Sequence, residues 1–358
     1  MALIHLCLKA NSFLGLILDA VGYSSYVKIL ITGGGGMLGQ KLIAGLAKIG
    51  SLSGKKIESI TVVDAYNQSR VLEGFDFTIT SKIVDITEDK ECQAMIADKP
   101  DVIFHLAAIV SGEAESDFEK GYRVNVEGTH NLFEAIRLIS DNYCPRVVFT
   151  SSVAVYGGPY LDVVDDNFIL QPTTSYGVEK VIGELLLNDY SRRGFLDGVG
   201  LRIPTLCVRP GLPNAAATGV FSNIIREPLV GIPATLTAEK DASMIFASPR
   251  SAVGFLIHAA QMDTSLLGDR RSLMMPGVHA SLGDEIDALR RVAGDKIVAL
   301  IKEEVDPFVQ QMVKSWNFPR FDAHRAKSLG FTCEDSFDEL IQVHIDDELG
   351  GVIPGLST

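Results

Sequence analysis

The sequence is short of positive charge. It has 32 lysines and arginines against 45 aspartates and glutamates, a formal net charge of -13. That balance argues against a nucleic-acid binder, which needs a basic face for phosphates. An anionic ligand would need a local basic pocket to offset the repulsive global field. Cysteines are few and scattered: Cys7, Cys92, Cys144, Cys207 and Cys333 are odd in number and form no C-x-x-C. Free thiols in a reducing cytoplasm are therefore expected, and no disulfide framework. The seven histidines form neither H-x-x-x-H nor H-E-x-x-H, so no metal site is expected. No uninterrupted apolar run reaches the roughly 18 residues of a membrane span. The nearest is MALIHLCLKANSFLGLILDAVGYSSY, residues 1–26, which Lys9 and Asp19 interrupt. It has neither a basic start nor an A-x-A cleavage site, so a signal peptide is not indicated. It reads as an extension, disordered or packed as a short helix, or as sequence ahead of a start near Val27.

From Val27 the pattern alternates. VKILIT (27–32) is a short, branched, apolar run suited to a strand buried on both faces. MLGQKLIAGLAKIG follows at helical period. Further strands are expected at 59–65, 82–87, 101–108, 146–152 and 200–208, with helices near 88–98, 116–140 and 174–192. Strands alternating with helices imply right-handed crossovers and a mostly parallel sheet covered on both faces. After about residue 206 the alternation weakens. Residues 27–205 read as one domain, and 206–350 mainly as a smaller mixed domain over the sheet.

The strongest motif is ITGGGGMLGQ, which fits G-x-x-G-x-x-G through Gly33, Gly36 and Gly39. Gly33 permits a tight turn, Gly36 lets the backbone approach a pyrophosphate, and Gly39 allows close helix–strand packing. The helix beginning near Met37 and Leu38 offers free N–H groups to phosphate. Asp64 ends the second strand. A carboxylate there accepts ribose hydroxyls and repels a 2′-phosphate, which favours NAD over NADP. Arg70 would greet such a phosphate, or is a solvated loop residue. Asp85 either accepts from an adenine amino group, with Ile86 against the ring, or caps a helix. Leu106, Ala107 and Ala108 end the fourth strand and leave room for a cofactor.

TSYGVEK (174–180) places Tyr176 and Lys180 four apart, on one helix face. Ser151 and Ser152 close the strand RVVFTSS at the sheet edge where open α/β folds bind ligands. Asn125 lies on the helix after the fourth strand. Taken with TGGGGMLG, Asp64, Asp85, HLAA and TSSVAVYG, these residues resemble the extended short-chain dehydrogenase/reductases, the epimerase/dehydratase family. The likeness runs from about residue 27 to 348.

That resemblance implies an α/β fold, a Rossmann doubly wound parallel sheet with a smaller C-terminal mixed α/β substrate domain. It also implies NAD as cofactor. Tyr176 would be the general base, Lys180 would favour its phenolate and hold the nicotinamide ribose, and Ser152 would orient the reacting oxygen. Asn125 would belong to the cofactor-binding set. A homodimer through a helix pair is common in the family. Within it, HLAAIVSGEAE, NDYSRRGF, RPGLPNAAATG, ASPRSAVGFLIH and HIDDELGG are similar to D-erythronate dehydrogenases. Two departures from that group's pattern are Leu212, in place of a lysine, and DASMIF (241–246), in place of a segment bearing histidine and tryptophan.

The implied substrate is a small sugar acid. Arg209, Arg226 and Arg250 are candidates for its carboxylate, because a planar guanidinium matches both oxygens. Ser111, in the loop after the fourth strand with Glu113, is a candidate for a hydroxyl or carboxylate. Two other readings stand beside this one: a nucleotide-sugar 4-epimerase or dehydratase with tightly held NAD, and a non-catalytic NAD-sensing regulator.

Overall fold

The computed structural model describes residues 24–66, 74–139, 142–160, 162–211, 218–315 and 318–357. Arg70, Leu212 and nearly all of the N-terminal extension lie outside them. The chain builds β1 (Tyr26–Thr32), α1 (Met37–Ile49), β2 (Lys55–Asp64), β3 (Thr78–Ile83), α2 (Asp89–Ile96) and β4 (Val102–His105). A broken helical stretch follows: α3 (Ser111–Ser116), α4 (Phe118–Gly121), a π-helical turn over Tyr122–Gly128, and α5 (Thr129–Leu138). Then come β5 (Arg146–Ser152), α6 (Ser175–Arg192), β6 (Asp197–Ile203), β7 (Thr205–Leu206) and α7 (Gly219–Leu229). Later elements include β8 (Ser243–Ala247), α8 (Pro249–Gln261), β9 (Ser272–Met274), β10 (Val278–Ser281), α9 (Leu282–Ala293) and α10 (Phe337–Glu348).

The main sheet runs β3-β2-β1-β4-β5-β6-β9, all parallel, with Ser51–Leu52 added antiparallel to β2. The strand order reverses between β1 and β4, which opens the crevice where doubly wound sheets bind ligands. The central strands are buried throughout, as in VIFH of β4. They therefore lack the polar/apolar alternation of a half-exposed sheet. One core cluster joins β1, β2 and α1 to α8. The second layer is built around α7, α9, α10 and a small sheet of order β10-β8-β7.

Four elements differ from the sequence reading. The fourth strand ends at His105, so Leu106, Ala107 and Ala108 lie in the loop beyond it. The third strand is Thr78–Ile83, not 82–87. It is a polar edge strand, and Asp85 already lies in the turn beyond it, accepting from Thr87 N–H at 2.9 Å. The helix expected at 116–140 begins at Ser111 and breaks at Asp117, whose carboxylate caps α4 by accepting from Lys120 N–H at 3.1 Å. The strand expected over 200–208 ends at Ile203. Pro204 has no N–H for the ladder, and β7 leaves the main sheet to pair with β8. The chain also returns to the first layer late, since α8 packs on α1 and β9 extends the main sheet.

Candidate functional site

The glycine loop connects β1 to α1 at the crevice. Gly33 holds φ +70° and lies against Ala107, where a Cβ would come within 2.5 Å of the backbone nitrogen. A Cβ on Gly39 would sit 2.6 Å from Gly34 Cα. Gly36 is different: a Cβ there would meet only Gly33 O, at 3.4 Å. The protein itself therefore leaves space at Gly36, on the wall of a cavity of about 600 Å³. The helix N-terminus opens there with no side-chain cap. These are the features a bound pyrophosphate needs, and the residues present fit a nicotinamide dinucleotide. Asp64 accepts from Gly35 N–H at 3.0 Å and from Tyr66 N–H at 3.2 Å, which fixes its carboxylate on the cavity wall. Met37, Leu38, Asp85, Ile86, Leu106, Ala107 and Ala108 line the same cavity. So do Tyr66, Lys120 and Arg123, which no motif in the sequence pointed to.

The cavity wall is braced from below. Thr129 donates to Asn125 C=O at 2.7 Å and so accepts from His105 Nε2–H at 3.0 Å. Thr32 then donates to His105 Nδ1 at 2.7 Å. Burial first, and Lys180 second, push His105 down to about 3, so it stays neutral and ties β4 to β1 and the start of α5.

A Gly36→Val variant is expected to fold normally and lose at least tenfold in NAD affinity, because its side chain enters the cavity. Gly39→Val is expected to lose thermal stability first, because its Cβ meets backbone. Thermal melts with NAD titration would separate the two; equal behaviour would refute the distinction.

The second half of the site adjoins the first. A pocket of about 280 Å³ is lined by Ser111, Ser152, Thr174, Tyr176, Thr205, Arg209 and Thr218, with Val110, Met244 and Phe318 among its apolar walls. It shares Met37, Val110 and Arg209 with the larger cavity. Thr174 caps α6 by accepting from Gly177 N–H at 3.1 Å, so Tyr176 falls in the first turn of the helix. Ser152 accepts from Ala154 N–H at 3.1 Å. Burial and then the nearby Glu179 raise the Tyr176 phenol to about 12, while its hydrogen bond with Ser152 acts the other way. Lys180 is buried one turn on, with Nζ 5.5 Å from the Tyr176 ring centroid and 5.1 Å from that of Phe149. Burial lowers it to about 8, against the pull of Glu179 and Glu184. Ser151 is excluded from the pocket by its own bond: it donates to Glu184 at 2.5 Å. Glu184 also takes Arg202, at 2.8 Å from Nη2.

Asn125 is not a cavity residue. Its carboxamide accepts from Ile109 N–H at 2.8 Å, donates to Ile109 C=O at 3.0 Å, and donates to Glu179 at 2.6 Å. These bonds hold the loop after β4 against the π turn and tie it to Glu179. Lys180 lines neither cavity and sits behind Tyr176. Arg226 reaches only a third, smaller cavity of about 110 Å³. Its guanidinium is committed to Arg209 C=O, Asn223 and Glu227, each at 2.7 Å. Arg250 lies apart from all of these cavities, on the exposed start of α8, where Nη2 pairs with Asp347 at 2.5 Å. Of the three candidate arginines, only Arg209 lines the pocket with Tyr176.

Comparison with known proteins follows the same lines. The profile of the NAD dependent epimerase/dehydratase family matches residues 29–265. The chain is 41% identical over 325 residues to a D-erythronate dehydrogenase of Cupriavidus necator, covering 90% of this chain and 98% of that protein. It is 34% identical to the Haemophilus influenzae enzyme of the same name, covering 90% and 100%. A crystal structure from Agrobacterium tumefaciens, titled a nucleoside-diphosphate-sugar epimerase, superposes with a TM-score of 0.89 at 53% identity, covering 92% and 96%.

Proposed function

Because this chain belongs to the NAD-dependent epimerase/dehydratase family and is an oxidoreductase acting on a CH–OH group, we propose that it oxidises C2 of a small sugar acid with NAD, D-erythronate to 2-dehydro-D-erythronate being its preferred reaction. The observation that carries the reading is the hydroxyl-lined pocket of about 280 Å³ that holds Tyr176 and Ser152 and shares Met37, Val110 and Arg209 with the glycine-loop cavity. Its size suits a four-carbon acid better than a nucleotide sugar, which would need an enclosure at the larger end of ligand sites.

Bound NAD supplies the nicotinamide that accepts hydride. The chain's residues do the rest. Ser152 holds the substrate oxygen against the Tyr176 phenol. Tyr176 takes the hydroxyl proton as hydride leaves the same carbon. Lys180 places a cation one helical turn away, which favours the phenolate. Asp64 takes the adenosine ribose hydroxyls. Ser111 and Thr205 reach the remaining hydroxyls of the acid. Exposed Phe118, Leu138 and Leu185 on the outer helices supply the apolar surface for a homodimer.

The test is a panel of C4 to C6 aldonic acids with NAD and NADP, followed by NADH absorbance. Net NADH from D-erythronate supports the proposal, and none from any acid sinks it. The name of the Agrobacterium structure favours a second reading, a nucleotide-sugar epimerase. That enzyme would interconvert sugars with no net NADH.

A further inference from the structure

We infer that Arg209 is the residue that reads the substrate's carboxylate, so that the pocket accepts hydroxy acids and rejects their uncharged counterparts. The inference rests on the dehydrogenase reading above.

Among the described residues, Arg209 is the one ionised side chain lining the pocket that holds Tyr176 and Ser152. The other polar groups there are hydroxyls and the phenol. A pocket of hydroxyls with a single guanidinium matches a polyhydroxy anion. Arg209 is also held on three sides. Its N–H donates to Ser222 at 3.1 Å, its C=O accepts from Arg226 at 2.7 Å, and Nη2 donates to Thr218 at 2.8 Å. Both backbone groups are thus anchored to α7 and the guanidinium is oriented by the start of that helix. Such support is what a binding residue needs in order to hold a productive geometry.

Its charge meets no carboxylate among the described residues, unlike that of its neighbours. Arg146, Arg202, Arg226 and Arg271 each pair with a carboxylate. Arg209 has no carboxylate partner among the described residues, and the neighbouring segment 212–217, LPNAAA, contains no acid. Thr218 uses one of five guanidinium donors. A half-buried cation beside a second arginine is costly to leave unpaired, and a carboxylate ligand removes that cost. In a protein of net charge -13 it also supplies the local basic point that an anionic substrate requires.

The experiment compares wild type with Arg209→Met and Arg209→Lys, using D-erythronate and its methyl ester. Arg209→Met is expected to raise the KM for the acid about 30-fold, the scale of one charge-assisted pair. Its kcat and its KM for NAD should stay within about threefold, and its preference for acid over ester should vanish. Arg209→Lys should fall between, since it keeps the charge and loses the fork. Thermal melts with NAD present establish that each variant is folded. An unchanged KM for the acid overturns the inference, as does a rise in the KM for NAD alone, which would place Arg209 on the cofactor phosphates. Wild type that oxidises acid and ester equally well also overturns it, while leaving the dehydrogenase reading intact. Wild type that oxidises no acid overturns both.

Discussion

Tyr176→Phe is expected to lower kcat by three orders of magnitude or more while NAD affinity stays within a few-fold of wild type. The loss follows from what the phenol oxygen does. General base catalysis contributes roughly 10²- to 10⁴-fold, and phenylalanine keeps the ring while removing the acceptor. Ser152 stays in place, because its oxygen is fixed by Ala154 N–H. The ring still covers Lys180, so the packing around α6 survives. Cofactor affinity is carried by the glycine loop and Asp64, on other elements of the cavity wall. Stopped-flow hydride transfer with the acid, beside NAD titration by fluorescence, checks both halves. Turnover within tenfold of wild type would remove Tyr176 as the base.

The parts of this site that are legible in the sequence share a physical reason. In a parallel sheet every strand ends at the same edge, so residues at strand ends converge whatever their separation in the chain. Gly33, Asp64, Ala107 and Ser152 are all of this kind. Tyr176 and Lys180 are legible for a similar reason, since a helix puts positions four apart on one face. What the sequence leaves open depends on partners instead. Arg209, Arg226 and Arg250 are chemically identical, and only Glu227 beside one and Asp347 beside another tell them apart. Ser151 and Ser152 are adjacent hydroxyls that point to opposite faces of β5, one into the Glu184–Arg202 pair and one into the pocket. Asn125 lies in the π turn, and its carboxamide is taken up by Ile109 and Glu179, a partnership that no spacing in the sequence announces. The edge strand β3 was misplaced because an exposed edge carries too few apolar residues to announce itself.

Lys180→Met is expected to lose activity and gain stability together. The Lys180 ammonium is nearly fully buried, and its value falls from 10.5 to about 8. The folded state therefore holds its proton less tightly than the unfolded chain. Between about pH 8 and 10.5 the unfolded state binds more protons, so this group makes stability rise with pH across that window. Below about pH 8 the lysine is charged in both states and its full unfavourable contribution, about 3 kcal/mol, is present. Methionine fills the space without the charge, so at pH 7 the variant should melt several degrees higher, and the advantage should disappear above pH 10.5. The kinetic change runs the other way. With Lys180 at about 8 and Tyr176 at about 12, the ammonium is present below about pH 8, and a kcat/KM limb there is expected to report the pair as a unit, its active form being phenolate beside ammonium. Without the ammonium the phenol must ionise unaided, so the limb should move up by more than one pH unit and neutral-pH activity should fall at least a hundredfold. A limb that stays near pH 8 in Lys180→Met would show that this pair does not set the protonation state of the site.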